Sequence, residues 1–242
     1  MTNTLVVVPT YNERTNLPAL VEGLLKHSTV RILVVDDQSP DGTGRVADEL
    51  AGRHAGRVEV MHREGVRGLG RSYIDGIKRA IEEQVDFVCQ MDADLSHDPR
   101  QLPDLVAAVS GGADLALGSR YVPGGSVVNW PRRRRVLSRY ANVYIRLVTR
   151  LSPHDCTTGY RCWRREALAQ LPLDRFFSDG YSFLVEMLFV AARRDYRIVE
   201  VPITFVERSE GESKISRQVL LESMITPWRL IADSEARTRP QS

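Results

Sequence analysis

This 242-residue sequence is poor in several things, and each shortage excludes a class of protein. It has three cysteines, Cys89, Cys156 and Cys162, an odd number at no metal spacing. They read as reduced thiols rather than a disulfide framework or a zinc site. The five histidines, His27, His54, His62, His97 and His154, keep no zinc spacing either. No uncharged apolar run approaches the roughly 18 residues that a membrane span needs; Met187–Ala192 is closed by Arg193 and Arg194. Met1–Pro9 lacks the basic start and long apolar stretch of a signal peptide. The expectation is a cytoplasmic protein, soluble or peripheral to the cytoplasmic face of a membrane. There is no G-x-x-x-x-G-K-[ST] loop, no G-x-G-x-x-G after the first apolar run and no serine elbow. A P-loop NTPase is thereby excluded, and a nicotinamide dehydrogenase is disfavoured. A net charge of only +2 argues for no particular partner.

What is present suits one α/β domain, since 43% of the residues are hydrophobic and no linker or repeat divides the chain. Thr4–Pro9, Ile32–Val35, Val58–Met61, Phe87–Met91 and Leu115–Leu117 are short apolar runs, fit for strands buried on both faces. Between them lie helical patterns: Leu17, Leu20, Val21, Leu24 and Leu25 after an Asn16 cap, then Thr43–Ala51, Ser72–Glu83 and a helix starting at Asp98-Pro99. This alternation predicts a Rossmann-like domain over residues 1–232, with a mostly parallel central sheet and peripheral amphipathic helices. Residues 233–242 read as a polar, disordered tail. Ligands of such sheets sit at the carboxyl ends of the strands. Tyr11, Asn12 and Glu13 follow the first run, Asp36 and Asp37 the second, Asp92 and Asp94 the fourth, and Arg120 the fifth. Four runs therefore deliver polar ends to one edge.

Asp92-Ala93-Asp94 is the sharpest of these. Residues two apart in an extended segment point the same way, so both carboxylates can face one cation. Oxygen ligands on a loop suit Mg²⁺ or Mn²⁺, which keep waters and bind substrate phosphates. Asp36 and Asp37 end a strand where a carboxylate can accept from a base or ribose hydroxyl, while Asp41 reads as a helix cap within a Pro40–Gly42 turn. A different signal lies further on. Arg132, Arg133, Arg134, Arg135, Arg139, Arg146 and Arg150 occur with no acid between Asn129 and Arg150. As a helix over about 131–151, the segment places Leu137, Tyr140, Ala141, Tyr144, Val148 and Leu151 on one stripe. Arg132, Arg135, Arg139, Arg146 and Arg150 then fall opposite. That pattern predicts a helix lying in a membrane interface. A second stripe, Leu220, Leu221, Met224, Trp228 and Ile231, predicts another over about 215–232. Arg134 and Ser138 are four apart and share a flank, so both can reach one phosphate. No aromatic stacking platform accompanies the arginines, which argues against nucleic acid.

Pro9-Thr10-Tyr11-Asn12-Glu13, Val34-Val35-Asp36-Asp37, Ser39-Pro40-Asp41-Gly42-Thr43 and Met91-Asp92-Ala93-Asp94-Leu95-Ser96 resemble family 2 glycosyltransferases of GT-A fold. Gly118-Ser119-Arg120-Tyr121, Thr158-Gly159-Tyr160-Arg161, Phe205-Val206-Glu207-Arg208 and Gly211-Glu212-Ser213-Lys214 narrow the resemblance to the polyprenol (dolichol) phosphate mannose synthases. It runs in order over about residues 4–232. The resemblance implies inverting transfer of mannose from GDP-mannose to a polyprenyl phosphate. It implies donor contacts at Pro9, Tyr11, Glu13, Val35, Asp37, Asp92, Ala93, Asp94, Arg208 and Lys214, with Asp92, Asp94, Arg208 and Lys214 serving the chemistry. Metal ligands would be Asp92, Asp94 and Ser96, the last standing where the family often has glutamine and offering a weaker ligand. Acceptor-phosphate contacts would be Arg120, Arg134 and Ser138. Many relatives carry a C-terminal membrane anchor, so a separate membrane-anchored partner protein is a further expectation. Glucosyl transfer from UDP-glucose, and a non-catalytic nucleotide-sugar-binding protein, stay open as alternatives at this point.

Overall fold

The computed structural model describes residues 3–178, 180–207 and 224–233, except the side chain of Tyr181. Its centre is a seven-stranded sheet. The first five strands in the chain are β1 (Thr4–Thr10), β2 (Val30–Asp36), β3 (Val58–His62), β4 (Phe87–Gln90) and β5 (Leu115–Ser119). A short β6 (Ser126–Val128) follows, then β7 (Arg161–Arg164), β8 (Ile198–Pro202) and β9 (Thr204–Val206). The sheet order is β3-β2-β1-β4-β7-β5-β8, with β6 and β9 pairing in a small sheet of their own. All neighbours in the large sheet are parallel except β7, which runs against both β4 and β5. The mostly parallel sheet is therefore as expected, and the reversed β7 is an addition to it.

β1 is buried at every position, as a central strand covered on both faces must be. Helices α1 (Leu17–Leu25), α2 (Thr43–Arg53), α3 (Leu69–Glu82) and α4 (Leu102–Ser110) return the chain between strands. They are followed by α5 (Arg132–Thr149), α6 (Arg165–Ala169) and α7 (Gly180–Arg193). Two apolar cores result, one on each face of the sheet. One joins Val7, Tyr73, Ile77, Trp163, Phe183 and Leu188; the other joins Val6, Val8, Leu17, Leu20, Leu102 and Cys162. α3 lies very close to the sheet. A Cβ on Gly76 would stand 2.4 Å from Val7 Cγ1, so only glycine allows that approach.

Three local expectations change. Asn16 precedes α1, but its side chain makes no cap bond; Nδ2 donates to Glu13 Oε2 instead, at 2.9 Å. The helix expected from Asp98-Pro99 begins as a 3₁₀ turn, Pro99–Gln101, which Asp98 caps by accepting from Arg100 N at 2.9 Å. Asp41, read as the cap of α2, stands one residue before the N-cap: that residue is Gly42, at a left-handed φ of +89°, and Asp41 accepts from Thr43 N at 2.9 Å. The three cysteines are free and buried, and burial pushes the Cys156 thiol up to about 12. Such thiols are inert.

The arginine-rich segment folds as the helix expected, α5, but its apolar side is rotated from the expected stripe by roughly a fifth of a turn. Val136, Tyr140, Val143 and Leu147 point outward, with Leu137 on their flank. Leu151 lies beyond the helix and is buried, while Ala141, Val148 and Arg146 are half-buried. The cause is the inward face, where Ile145 packs into the apolar core and Asn142 is buried beside it. Asn142 Oδ1 accepts from Cys156 N at 2.7 Å, and Thr149 Oγ1 donates to Ile145 O at 2.6 Å. The 224–233 helix sits against this one, with Trp228 Nε1 donating to Tyr144 Oη at 2.8 Å and Tyr144 Oη to Met224 O at 2.6 Å. Met224, Ile225 and Trp228 are exposed beside it. Leu220 and Leu221 of the second expected stripe lie outside the described residues. No described helix is long and apolar enough to cross a membrane.

Candidate active site

The carboxyl ends of β1, β2, β4 and β5 open on one edge, where β7 begins. Register fixes the first group: Pro9 is opposite Val35 and Thr10 opposite Asp36. Asp36 is absorbed by the fold, since its carboxylate accepts from Thr10 Oγ1 at 3.1 Å and from Ser39 Oγ at 2.6 Å. Asp37 is also buried; it accepts from Gly68 N at 2.8 Å and from Arg63 Nη1. Glu13 N donates to Thr43 Oγ1 at 3.0 Å, which ties the loop after β1 to the start of α2. The Arg67 guanidinium lies 5.0 Å from the centre of the Tyr11 ring. Pro9, Tyr11, Glu13, Val35 and Asp37 therefore meet at one place. Arg63 and Arg67 join them and were not foreseen, although they follow the third apolar run by the same edge rule.

The second group is the acid pair after β4. Asp92 Oδ1 accepts from Tyr73 Oη at 2.9 Å. Burial and the neighbouring Asp92 charge push the Tyr73 phenol well above its usual value, so it stays a donor. On the other side His97 Nε2 stands 3.6 Å from Asp92 Oδ2. A Cβ on Gly159 would come within 3.0 Å of that same oxygen, so glycine lets the loop before β7 close over the carboxylate. Arg161, the first residue of β7, is fully buried and donates to Thr158 O at 2.9 Å and Cys156 O at 3.3 Å. Burial lowers it to about 10, which leaves it charged at neutral pH beneath the acids. Ala93 and Asp94 are buried, and Asp94 Oδ1 accepts from Ser96 N at 2.9 Å.

These residues fit a hard divalent cation. The donor set is oxygen, and the Ser96 hydroxyl is buried with no hydrogen-bond partner among the described residues. No group of three or more His, Cys, Asp or Glu side chains is gathered for a metal among the described residues. The protein would thus supply only a partial shell, which suits an ion that completes its coordination with water and phosphate oxygens.

The third group gathers Arg120, Arg134 and Ser138 around two aromatic rings. Arg120 follows β5 and is locked to Asp155, with Nε at 2.7 Å from Oδ2 and Nη2 at 2.6 Å from Oδ1. Its guanidinium lies 5.4 Å from the Trp130 ring centre, and that of Arg134 lies 4.4 Å from the same ring. Tyr121 Oη donates to Ser138 Oγ at 2.6 Å. Trp130 and Asp155 were not singled out in the sequence, although Trp130 stands just before the arginine run. Arg208 and Lys214 lie outside the described residues.

Comparison with known proteins identifies the family. The profile of glycosyl transferase family 2 matches residues 5–171. The chain is 50% identical over 229 residues to the polyprenol monophosphomannose synthase of Mycolicibacterium smegmatis, covering 93% of this chain and 86% of that one. It is 47% identical over 232 residues to the undecaprenyl-phosphate mannosyltransferase of Micrococcus luteus, covering 94% of each. In fold it matches glucosyl-3-phosphoglycerate synthase from Mycobacterium tuberculosis, solved with Mn²⁺, UDP-glucose and phosphoglyceric acid. The TM-score is 0.68 at 19% identity, covering 93% of this chain and 79% of that one. With an edge-clustered acid pair, a GT-A sheet and relatives of this identity, the chain belongs to glycosyl transferase family 2, among its polyprenyl-phosphate mannose synthases.

Proposed function

We propose that this glycosyltransferase transfers mannose from GDP-mannose to a polyprenyl phosphate at the cytoplasmic face of a membrane, with inversion at the anomeric carbon. The observation that carries the reading is a single juxtaposition. The acid pair Asp92 and Asp94, the phosphate seat of Arg134 and Ser138, and the outward apolar face of α5 follow one another across one side of the molecule, linked through His97, Phe205 and Trp130. The named mannosyltransferase relatives support the sugar and the lipid.

The acceptor phosphate has a second pKa near 6 and is largely dianionic at neutral pH, so it needs no general base. Arg134 and Ser138 orient it, and Arg120 holds the wall behind them. A phosphate oxygen lone pair forms the new bond to the anomeric carbon, and the bond from that carbon to the nucleoside diphosphate breaks with its electrons leaving on the diphosphate. Pro9, Tyr11, Glu13, Val35, Asp37 and Ala93 seat the donor. Asp92, Asp94 and Ser96 would hold Mg²⁺ or Mn²⁺, whose charge would offset that of the leaving diphosphate. Arg208 and Lys214 add positive charge to the same group. Val136, Tyr140, Val143, Leu147 and Trp228 bear the lipid side, with Arg132, Arg133, Arg135 and Arg139 at the headgroups. The test is purified protein with labelled GDP-mannose or UDP-glucose and polyprenyl phosphate. Label in the organic phase only from GDP-mannose is the expected result. Label only from UDP-glucose, or none from either, would overturn it.

A further inference from the structure

Of the two arginines over Trp130, only one can exchange its partner. Arg120 is bound to Asp155 in a pair whose side chains are 7% and 0% exposed. Arg134 is bound to Glu207, Nη1 to Oε1 at 2.5 Å, and these side chains are 32% and 29% exposed. Glu207 is held there by its backbone, since its N donates to Val128 O at 3.1 Å at the end of the small sheet. Its carboxylate therefore occupies an anion position on Arg134, next to the Ser138 hydroxyl that receives Tyr121.

We propose that Glu207 is a product-release residue: it yields Arg134 to the acceptor phosphate and takes it back once the sugar has been transferred. The inference rests on the acceptor seat described above, and its logic is the charge change of the reaction. The acceptor is a phosphate monoester carrying about two negative charges at neutral pH. The product is a diester carrying one. Charge-assisted bonds to an arginine weaken as the anion loses charge, so one fixed carboxylate competes poorly with the substrate and well with the product. Both affinities fall by the factor that the internal pair imposes. The diester then leaves by exchange with a carboxylate already in place, rather than by exposing a bare guanidinium.

The experiment compares wild type, Glu207→Gln and Arg134→Ala. Binding is measured by calorimetry with farnesyl phosphate, a monoester, and farnesyl methyl phosphate, a monoanionic diester. Loss of a partly exposed ion pair should tighten both ligands about three- to fivefold in Glu207→Gln. In turnover with polyprenyl phosphate, that variant should show a lower acceptor KM and stronger product inhibition. It should also show a pre-steady-state burst absent from wild type. Arg134→Ala should lose most affinity for both ligands. Weaker or unchanged binding in Glu207→Gln would overturn the proposal and leave Glu207 as a residue that merely aims Arg134. The binding arm needs no turnover, so a failed transfer assay would count against the proposed reaction and not against the exchange.

Discussion

The Arg120–Asp155 pair makes the strongest demand on stability. Asp155 is fully buried and accepts from Arg120 N at 3.0 Å, Nε at 2.7 Å and Nη2 at 2.6 Å, with Thr157 Oγ1 at 3.3 Å. Asp155→Ala removes these acceptors and leaves a guanidinium that is itself only 7% exposed. Breaking a buried pair from one side costs about 3–5 kcal/mol, because the remaining charge keeps its desolvation penalty. For a chain of this size each kcal/mol moves the midpoint by about 2–4 °C, so thermal unfolding followed by circular dichroism should show a drop of about 12 °C. The double variant Arg120→Met, Asp155→Leu replaces both charges by apolar groups and should recover most of that loss. A drop under about 3 °C in Asp155→Ala would refute the reasoning, as would a double variant no more stable than the single one.

Further outcomes follow from the same geometry. Chelation should abolish transfer and added Mg²⁺ or Mn²⁺ restore it, and Asp94→Ala should be inactive yet folded; full turnover in chelator would contradict the metal assignment. Arg134→Ala and Ser138→Ala should raise the acceptor KM about tenfold while leaving the donor KM within about twofold, measured by varying each substrate in turn. Tyr140→Asp with Leu147→Asp should cut sedimentation with anionic liposomes without lowering the unfolding midpoint, because these side chains are 70% and 76% exposed; unchanged sedimentation would show that this face does not meet lipid. Phe205→Ala should lower kcat about tenfold with small changes in either KM, since it removes the ring between His97 and Trp130; a defect no larger than the loss of folded protein would reject that role.

The first half of the fold was legible because its strands are apolar on both faces and its helices repeat at helical spacing. The edge rule then gathered Tyr11, Glu13, Asp37, Asp92 and Asp94 without any knowledge of contacts. β7 was not legible, because Arg161-Cys162-Trp163-Arg164 reads as polar while Arg161 is among the most buried side chains in the molecule. Its burial is offset in part by the hydrogen bonds that its Nε and Nη2 donate to the carbonyls of Thr158 and Cys156, an arrangement that no periodicity reports. α5 was legible as a helix but not in orientation. The stripe was drawn through the aromatics, whereas Asn142 decides the inward face by bonding Cys156 N, 14 positions away. Arg120 had no visible partner in the sequence, since Asp155 lies 35 residues on.

The small sheet ties the acid pair to the proposed acceptor seat. β6 and β9 have three residues each, too few to hold a position alone. Their place is set by what packs on them. Phe205 pairs through its backbone with His97 and sets its ring edge-on, 5.1 Å from the imidazole. The same ring meets Trp130 at 5.4 Å, and Trp130 carries Arg134 at 4.4 Å. A continuous run of rings thus spans from the carboxylate of Asp92 to the guanidinium of Arg134, the proposed acceptor seat. Displacement at sugar carbon requires the reacting atoms at about 3–3.5 Å and in line. A spacing built from packed rings meets that requirement better than one built from surface loops, because close-packed rings resist compression. The helix bearing Arg134 turns Ile145 and Asn142 inward, Ile145 into the core and Asn142 onto Cys156 N, which leaves Val136, Tyr140, Val143 and Leu147 outward. Under the proposed reaction, lipid contact and phosphate placement would both fall to this one helix, whose distance from the acid pair the aromatic run sets.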